Sequence, residues 1–359
     1  MFSKKEKQQY NRHFILDSIG VEGQIKLKKS KVLVVGAGGL GCPILQYLTA
    51  AGVGTIGIID NDIVDQSNLQ RQILFSIDDI GKPKATAAAI RLTKLNPYIQ
   101  FKTYISFLSS ENALDIFSKY DIIVDGSDNF QTRYLTNDAA VLTNKPLVFG
   151  AVFKFEGQIS VFNYKNGPTY RCLFPDPPKA NSIPNCSDIG VLGVLPGIIG
   201  CYQANEVLKI ICGIGEIMSG KLLSLNTLNL QQNILKFNKN PNIKIDKLID
   251  YDVFCGIKSY DNTEIDSKRL KEKLETEDVL LIDVRKLMER EHFNIGGTHI
   301  PLHQLQQRLT ELAKADNIVF YCQVGQRSLI ASQILKEKYP TKNCYSLLGG
   351  LQAWLRFIE

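Results

Sequence analysis

Residues 31–48 read KVLVVGAGGLGCPILQYL: an apolar run, a glycine-rich turn and a helix-forming stretch. Gly36, Gly38 and Gly41 fit the spacing G-x-G-x-x-G without a gap. Glycines directly after a strand let backbone N–H groups close on phosphates, whose charge then sits at the positive end of the following helix. Asp60 closes the next apolar run, TIGIID, 19 residues beyond Gly41, where a carboxylate can take ribose hydroxyls. To this point the loop suits a dinucleotide as well as any other nucleotide. The glycines alone are equally compatible with tight strand–helix packing.

Working outward, KVLVVG, TIGIID, DIIVDG and PLVFGAV are short, β-branched and unalternating, as strands buried on both faces are. Helical patterns such as KPKATAAAIRLTKLN, stopped by Pro97, lie between them. The alternation predicts an α/β protein with a Rossmann-like parallel sheet and helices on both faces. After EGQISVFNY comes the Pro-rich stretch LFPDPPKANSIPN, read as a surface loop. Ser187 or Asp188 then caps an expected helix from about Ile189 to Cys212. The polar, weakly periodic segment 237–266 reads as a linker region before a second α/β series opens at DVLLIDVR. We expect domains over 1–255 and 263–359, joined by a linker at 256–262.

Two domains also suit the length of 359 residues. Hydrophobic content of 44% and charged content of 22% are those of a globular chain with a real core. The net charge of +6 is spread without a dense Lys/Arg block, which favours acidic partners over nucleic acid. The start, MFSKKEKQQYNRHF, lacks the apolar region of a signal peptide, and the apolar segment 191–212 is broken by Pro196, Asn205, Glu206 and Lys209. Eight cysteines are scattered without a disulfide-like framework. These features predict a cytoplasmic protein with no membrane span.

The residues that choose the ligand come after the glycines. DNDIVDQSNLQRQ supplies Asp62, Ser67, Asn68, Arg71 and Gln72, GKPKA supplies Lys84, and VDGSDN puts Asp128 and Asn129 just past a strand. Two cations and a carboxylate beside one nucleotide suit a triphosphate with Mg2+: Arg71 and Lys84 neutralise phosphate charge as pyrophosphate leaves, and Asp128 holds the metal. Hydride transfer needs neither. A solvated lysine at a helix start and a capping aspartate are the plain alternatives for Lys84 and Asp128, and the conjunction outweighs them.

YNRH, GAGGLG, DNDIVDQSNLQRQ, GKPKA, DGSDNFQTRYLTND and EGQISVFNY, in this order, resemble the ubiquitin-activating-enzyme-like adenylyltransferases, nearest to those serving molybdopterin synthase and the thiamine pathway (the ThiF/MoeB/HesA family). The resemblance spans roughly residues 8–255. It implies ATP and Mg2+ held by Gly36, Gly38, Gly39, Gly41, Asp60, Asp62, Ser67, Asn68, Arg71, Gln72, Lys84, Asp128 and Asn129. It also implies a homodimer in which Arg12 reaches the partner's ATP site; otherwise Arg12 is a surface residue. The substrate implied is the C-terminal glycine of a small ubiquitin-fold sulfur carrier ending in Gly-Gly.

The second strong signal is IVFYCQVGQRSLIASQILKEKY. Cys322 follows a strand and opens a tight C-x-x-G-x-R-S loop before a helix. Loop N–H groups, Arg327 and the helix N-terminus there can hold an anionic sulfur. With LLIDVRKLMEREHFNIGGTHIPL before it and LLGGLQAW after it, the segment 263–359 resembles a single-domain rhodanese, with Cys322 as the persulfide cysteine and Asp283 and Arg285 structural. Gln323 stands where many relatives have arginine, which leaves open whether the sulfur donor is a cysteine desulfurase or a thiosulfate-like molecule.

Cys186, at the end of the Pro-rich loop, matches a family cysteine that bonds to the activated carrier; an ordinary loop cysteine is the competing reading. Cys42, Cys201, Cys212 and Cys344 are assigned to packing. Many relatives hold zinc through two C-x-x-C pairs, but TYRC keeps only Cys172, with Thr169 in the place of the first cysteine. No C-x-x-C precedes LIDYDVFCG, so we expect no zinc site. His13 follows Arg12 and is read as a surface or cap residue.

Together the two halves predict an enzyme, an adenylyltransferase and sulfurtransferase that gives the carrier a C-terminal thiocarboxylate, first of all in molybdopterin cofactor biosynthesis. Thiamine biosynthesis, tRNA thiolation and conjugation of the carrier to lysines remain open, and an NAD(P)-dependent oxidoreductase or a non-enzymatic binding module are the distant alternatives.

Overall fold

A computed structural model describes residues 2–178, 190–255, 263–276 and 279–358. The chain divides into two compact units, Met1–Ile257 and Lys258–Glu359. The linker expected at 256–262 lies outside the described residues.

The first unit is built on β1 (Lys31–Val35), β2 (Thr55–Ile59), β3 (Gln100–Tyr104), β4 (Ile122–Asp125), β5 (Leu147–Phe153), β6 (Glu156–Phe162), β7 (Lys221–Asn226) and β8 (Gln231–Lys236). They lie in the order β3-β2-β1-β4-β5-β6-β7-β8. The pairs from β3 through β5 are parallel and those from β5 to β8 antiparallel. Val32–Val35 of β1 are all buried because both faces are covered. Val32 and Val34 meet Leu45 and Leu48 on one side; Leu33 and Val35 meet Phe117, Tyr120 and Phe149 on the other.

Chain order reverses between β1 and β4, and such a switch point is where ligands bind at the carboxyl ends of the strands. The glycine turn leads into the helix Gly41–Ala51, ended by Gly52 at φ +88°. The helix Lys84–Leu95 starts after Pro83 and stops at Asn96, before Pro97.

Two elements differ from expectation. β3 was not read from the sequence: QFKTY alternates at a sheet edge and is largely exposed, so it lacks the apolar run of its neighbours. The long helix begins at Val194, not near Ile189, and runs to Cys212. Val191 instead bridges Lys154, the Leu192 N–H donates to the Lys154 carbonyl at 3.2 Å, and Gly193 lies so close to Gln70 that a Cβ would meet its carbonyl oxygen at 2.4 Å. Ser187 and Asp188 lie outside the described residues.

A buried ion pair fixes the chain that follows β6. Arg171 donates to both oxygens of Asp138 at 2.8 and 2.7 Å, and Tyr251 O–H donates to Asp138 Oδ2 at 2.8 Å. This ties the helices Tyr170–Leu173 and Tyr251–Phe254 to the helix Phe130–Leu142.

The second unit is a parallel sheet of β9 (Glu264–Ile265), β10 (Leu280–Asp283), β11 (Thr298–His299), β12 (Asn317–Tyr321) and β13 (Asn343–Leu347), ordered β11-β10-β12-β13-β9. Alternation along β12 sends Ile318, Phe320 and then Cys322 into one core, and Val319 and Tyr321 into the other.

Candidate functional site

The carboxyl ends of β1, β2 and β4 open onto a cavity of about 370 Å³. Of the residues expected at a nucleotide, Gly36, Gly38, Gly39, Asp60, Asp62, Asn68, Arg71, Gln72, Lys84, Asp128 and Asn129 line it. Gly36 sits at φ +90°, open to glycine and strained for other residues. Gly41 does not line the cavity; a Cβ there would meet the Gly36 carbonyl oxygen at 2.0 Å, so this glycine closes the turn. Ser67 also stays off the wall. Asp65 caps its short turn by accepting the Ser67 N–H at 2.8 Å and hydroxyl at 2.6 Å, while the Ser67 carbonyl accepts from Arg71 Nη1 at 3.2 Å. Arg12, exposed on the helix Asn11–Phe14, lies outside this wall.

Asp60 accepts from the Ala37 N–H at 2.7 Å and the Asp62 N–H at 2.8 Å. Burial pushes its carboxyl upward against those two donors. Lys84 is no solvated lysine: it is 5% exposed and its Nζ lies 2.9 Å from Asp62 Oδ2.

Arg133, which the sequence reading passed over, lines the cavity too. It lies one turn beyond Asn129, whose side chain caps the helix by accepting from the Thr132 N–H at 2.9 Å. Residues one turn apart share a helix face, so placing the cap at Asn129 would have exposed this third cation. Its guanidinium lies 5.2 Å from the Phe130 ring and 5.8 Å from the Phe149 ring.

Gln72 Oε1 and Arg133 Nε are buried without a protein partner. Both residues line the cavity, where a bound ligand or water can supply the missing contacts. With the glycine turn, Asp60 for a ribose, three cations and Asp128 as a hard oxygen ligand, the wall fits a nucleoside triphosphate and its divalent cation.

In the second unit Cys322 is fully buried between β12 and the helix Gln326–Lys338. The Gly325 N–H donates to its sulfur at 3.2 Å and Ser328 O–H at 3.5 Å. Burial alone would raise this thiol, yet the Ser328 hydroxyl and the N–H groups of Ser328, Val324 and Gly325 outweigh it and hold it below the ordinary range. Burial pushes Cys42 and Cys344 up to about 12 and Cys255 up to about 11, and it raises Cys201 and Cys212. Among the described cysteines, Cys322 is the one whose resolved shift favours the thiolate.

Arg327 makes a two-pronged pair with Glu289, at 2.8 and 2.6 Å. Arg285 does the same with Asp283, at 3.0 and 2.7 Å, and reaches Gln323 Oε1 at 3.3 Å. Cys186 lies outside the described residues. Cys42, Cys212 and Cys344 are buried, but Cys201 is exposed on the long helix and does not pack as expected. His13 Nδ1 sits 2.8 Å from Gln24 Oε1.

At the position where the resemblance implies a C-x-x-C pair, Thr169 and Cys172 cap one short turn. The Cys172 sulfur accepts from the Thr169 and Asn240 N–H groups, each at 3.4 Å. No group of three or more His, Cys, Asp or Glu suited to a metal occurs among the described residues.

Residues 10–245 match the ThiF family and residues 266–357 the rhodanese-like domain. The chain belongs to the ThiF family. Its ThiF unit is followed by a rhodanese-like unit. The chain is 42% identical to a Drosophila persimilis protein named adenylyltransferase and sulfurtransferase MOCS3, over 98% of this chain and 83% of that one. It is 40% identical to the Mycobacterium tuberculosis protein named probable adenylyltransferase/sulfurtransferase MoeZ, over 99% and 95%. A Thermus thermophilus sulfur carrier protein adenylyltransferase is 48% identical over 72% of this chain and 99% of its own. Among solved structures, Escherichia coli MccB bound to MccA-N7isoASN superposes with a TM-score of 0.60 at 23% identity, covering 68% of this chain and 75% of that one, a likeness of fold alone. No described helix is long and apolar enough to cross a membrane.

Proposed function

We propose that the ThiF unit adenylylates the C-terminal glycine of a ubiquitin-fold sulfur carrier and that the rhodanese-like unit supplies its sulfur. The carrier carboxylate attacks the α-phosphate of ATP, pyrophosphate leaves, and an acyl-adenylate forms. Arg71, Lys84 and Arg133 neutralise the phosphate charge that develops. Bound at Asp128, Mg2+ supplies further charge neutralisation on the phosphates. In a homodimer, the exposed Arg12 completes the partner's site.

A donor, either a cysteine desulfurase persulfide or a thiosulfate-like molecule, leaves one sulfur on Cys322. The resulting persulfide anion attacks the acyl carbon and AMP departs, leaving an acyl disulfide. A thiolate then attacks the Cys322 sulfur, forms a disulfide with it and releases the carrier thiocarboxylate. Cys186 is the candidate for that thiolate, and a cellular thiol restores both cysteines. Joining the units in one chain raises the local concentration of persulfide at the activated carrier. Molybdopterin cofactor biosynthesis is the pathway that fits the relatives' names.

One observation carries the sulfur half: among the described cysteines, Cys322 alone combines a ring of N–H donors with a thiol shifted toward its anion. The test is the intact mass of candidate carriers after incubation with the enzyme, Mg-ATP and a persulfide source. Replacement of one carboxylate oxygen by sulfur, lost in Cys322→Ser while pyrophosphate release continues, is expected. Transfer that survives Cys322→Ser would overturn the relay. Carrier adducts on lysine would instead favour conjugation.

A further inference from the structure

The C-x-x-G-x-R-S loop does not close its sulfur site alone. Ser346, on β13 and outside that motif, is fully buried, as are Ser328 and Cys322. Ser346 Oγ lies 2.8 Å from Ser328 Oγ and 3.4 Å from the Gly325 carbonyl oxygen. Ser328 Oγ in turn lies 2.9 Å from that carbonyl oxygen and 3.5 Å from the Cys322 sulfur.

Proton counting makes the arrangement informative. The Ser328 hydroxyl has one proton and three acceptors within reach, the Ser346 oxygen, the Gly325 carbonyl and the sulfur. That carbonyl already accepts the Leu329 N–H at 3.1 Å, so it is not orphaned when Ser328 turns away. With Ser346 O–H donating to Ser328 Oγ, the Ser346 oxygen no longer competes for the Ser328 proton, which is left to the carbonyl and the sulfur, and the ionised sulfur is the stronger acceptor. Successive hydroxyls polarise one another, and a donor to an ionised acceptor is stronger than one to a neutral acceptor.

We propose that Ser346 is a positioning residue for sulfur transfer: by donating to Ser328 it commits the Ser328 proton to the Cys322 sulfur, in the thiolate and in the persulfide anion. The catalytic consequence rests on Cys322 being the sulfur carrier; the effect on the thiolate does not. Two other charges face the loop, and one of them, Arg327, also interacts with the Cys322 sulfur. Arg327 is held by Glu289, and Arg285 by Asp283 with one N–H on Gln323. β12 and β13 contain no charged residue, and the helix Gly350–Ile358 has Arg356 in its last turn.

The experiment titrates the ultraviolet thiolate absorbance of the full-length chain, each variant measured against its own Cys322→Ser counterpart so that the difference isolates Cys322. Ser346→Ala should move the ionisation midpoint upward by roughly half to one unit, with about a three- to ten-fold slower sulfur transfer near neutral pH that recovers in alkali. Ser346→Thr keeps the hydroxyl and should restore the midpoint. Ser332→Ala removes another buried hydroxyl, bonded at 2.8 Å to the Leu329 carbonyl, and should leave the midpoint alone. Should Ser346→Ala fail to fold, Ser346→Cys, a weaker donor of similar size, should give a smaller shift of the same sign.

An unmoved midpoint in a folded Ser346→Ala chain would overturn the relay, as would a rate loss equal at every pH. A shifted midpoint in a chain that takes up no sulfur would leave the relay standing and refute the sulfurtransferase reading.

Discussion

Lys84 and Asp62 face each other across 2.9 Å at the edge of the nucleotide cavity, the lysine side chain 6% exposed and the carboxylate 60%. A buried ammonium is costly without an anion, and here a solvated carboxylate supplies one. The pair holds Lys84 on the cavity wall, where a phosphate can replace Asp62 as its partner. Lys84→Ala should lower ATP–pyrophosphate exchange about 10²- to 10³-fold, the usual loss for one preorganised charge stabiliser. Asp62→Asn, which keeps the lysine, should cost less. Equal losses in the two variants would mean that Asp62 acts on the ligand directly.

Asp128, on the same wall beyond β4, offers a test of the metal. Asp128→Ala should abolish adenylate formation at ordinary Mg2+ concentrations. Exchange kinetics against Mg2+ check this, because loss of a metal ligand shows as a requirement for more cation. Exchange with an unchanged Mg2+ dependence would remove Asp128 from metal binding.

The parts read most directly from the sequence were those whose environment repeats locally. β1, β2, β4 and β5 are buried on both faces, so their apolar runs announce themselves, and the glycine turn is a backbone requirement written in residue type. β3 escaped because an edge strand can be polar, and the start of the long helix escaped because Val191 pairs with Lys154, a contact no local pattern encodes. The site divides in the same way. Gly36, Asp60 and Lys84 carry family-specific spacing. Arg133 needed the helix cap at Asn129 to be seen, and Ser346 reaches Cys322 only through the pairing of β12 with β13.

The Thr169–Cys172 turn predicts independence from zinc. Thr169 stands where the first thiol of a C-x-x-C pair would be, and no group of three or more His, Cys, Asp or Glu is placed to hold a metal among the described residues. Prolonged chelation should therefore leave both the unfolding temperature and ATP–pyrophosphate exchange unchanged, with elemental analysis finding no stoichiometric zinc. Stoichiometric zinc lost together with stability would contradict the assignment.

The Glu289–Arg327 pair sets an acid limit on the rhodanese-like unit. The Arg327 guanidinium holds the Glu289 carboxyl down to about 2 from an ordinary 4.5, with burial opposing and the Lys286 N–H assisting. A carboxylate depressed in the folded state adds stability that is complete above its unfolded value, here 4.5, and is lost as pH falls toward about 2. Glu289→Gln removes this dependence while keeping the shape of the side chain. Trp354, the chain's single tryptophan, lies in the second unit and reports its unfolding separately from the ThiF unit. Between pH 4.5 and about 2, the Trp354 unfolding midpoint of the native chain should fall toward that of Glu289→Gln, and above pH 4.5 the native chain should stay the more stable. A constant gap between the two across this range would mean that the pair contributes nothing to folding.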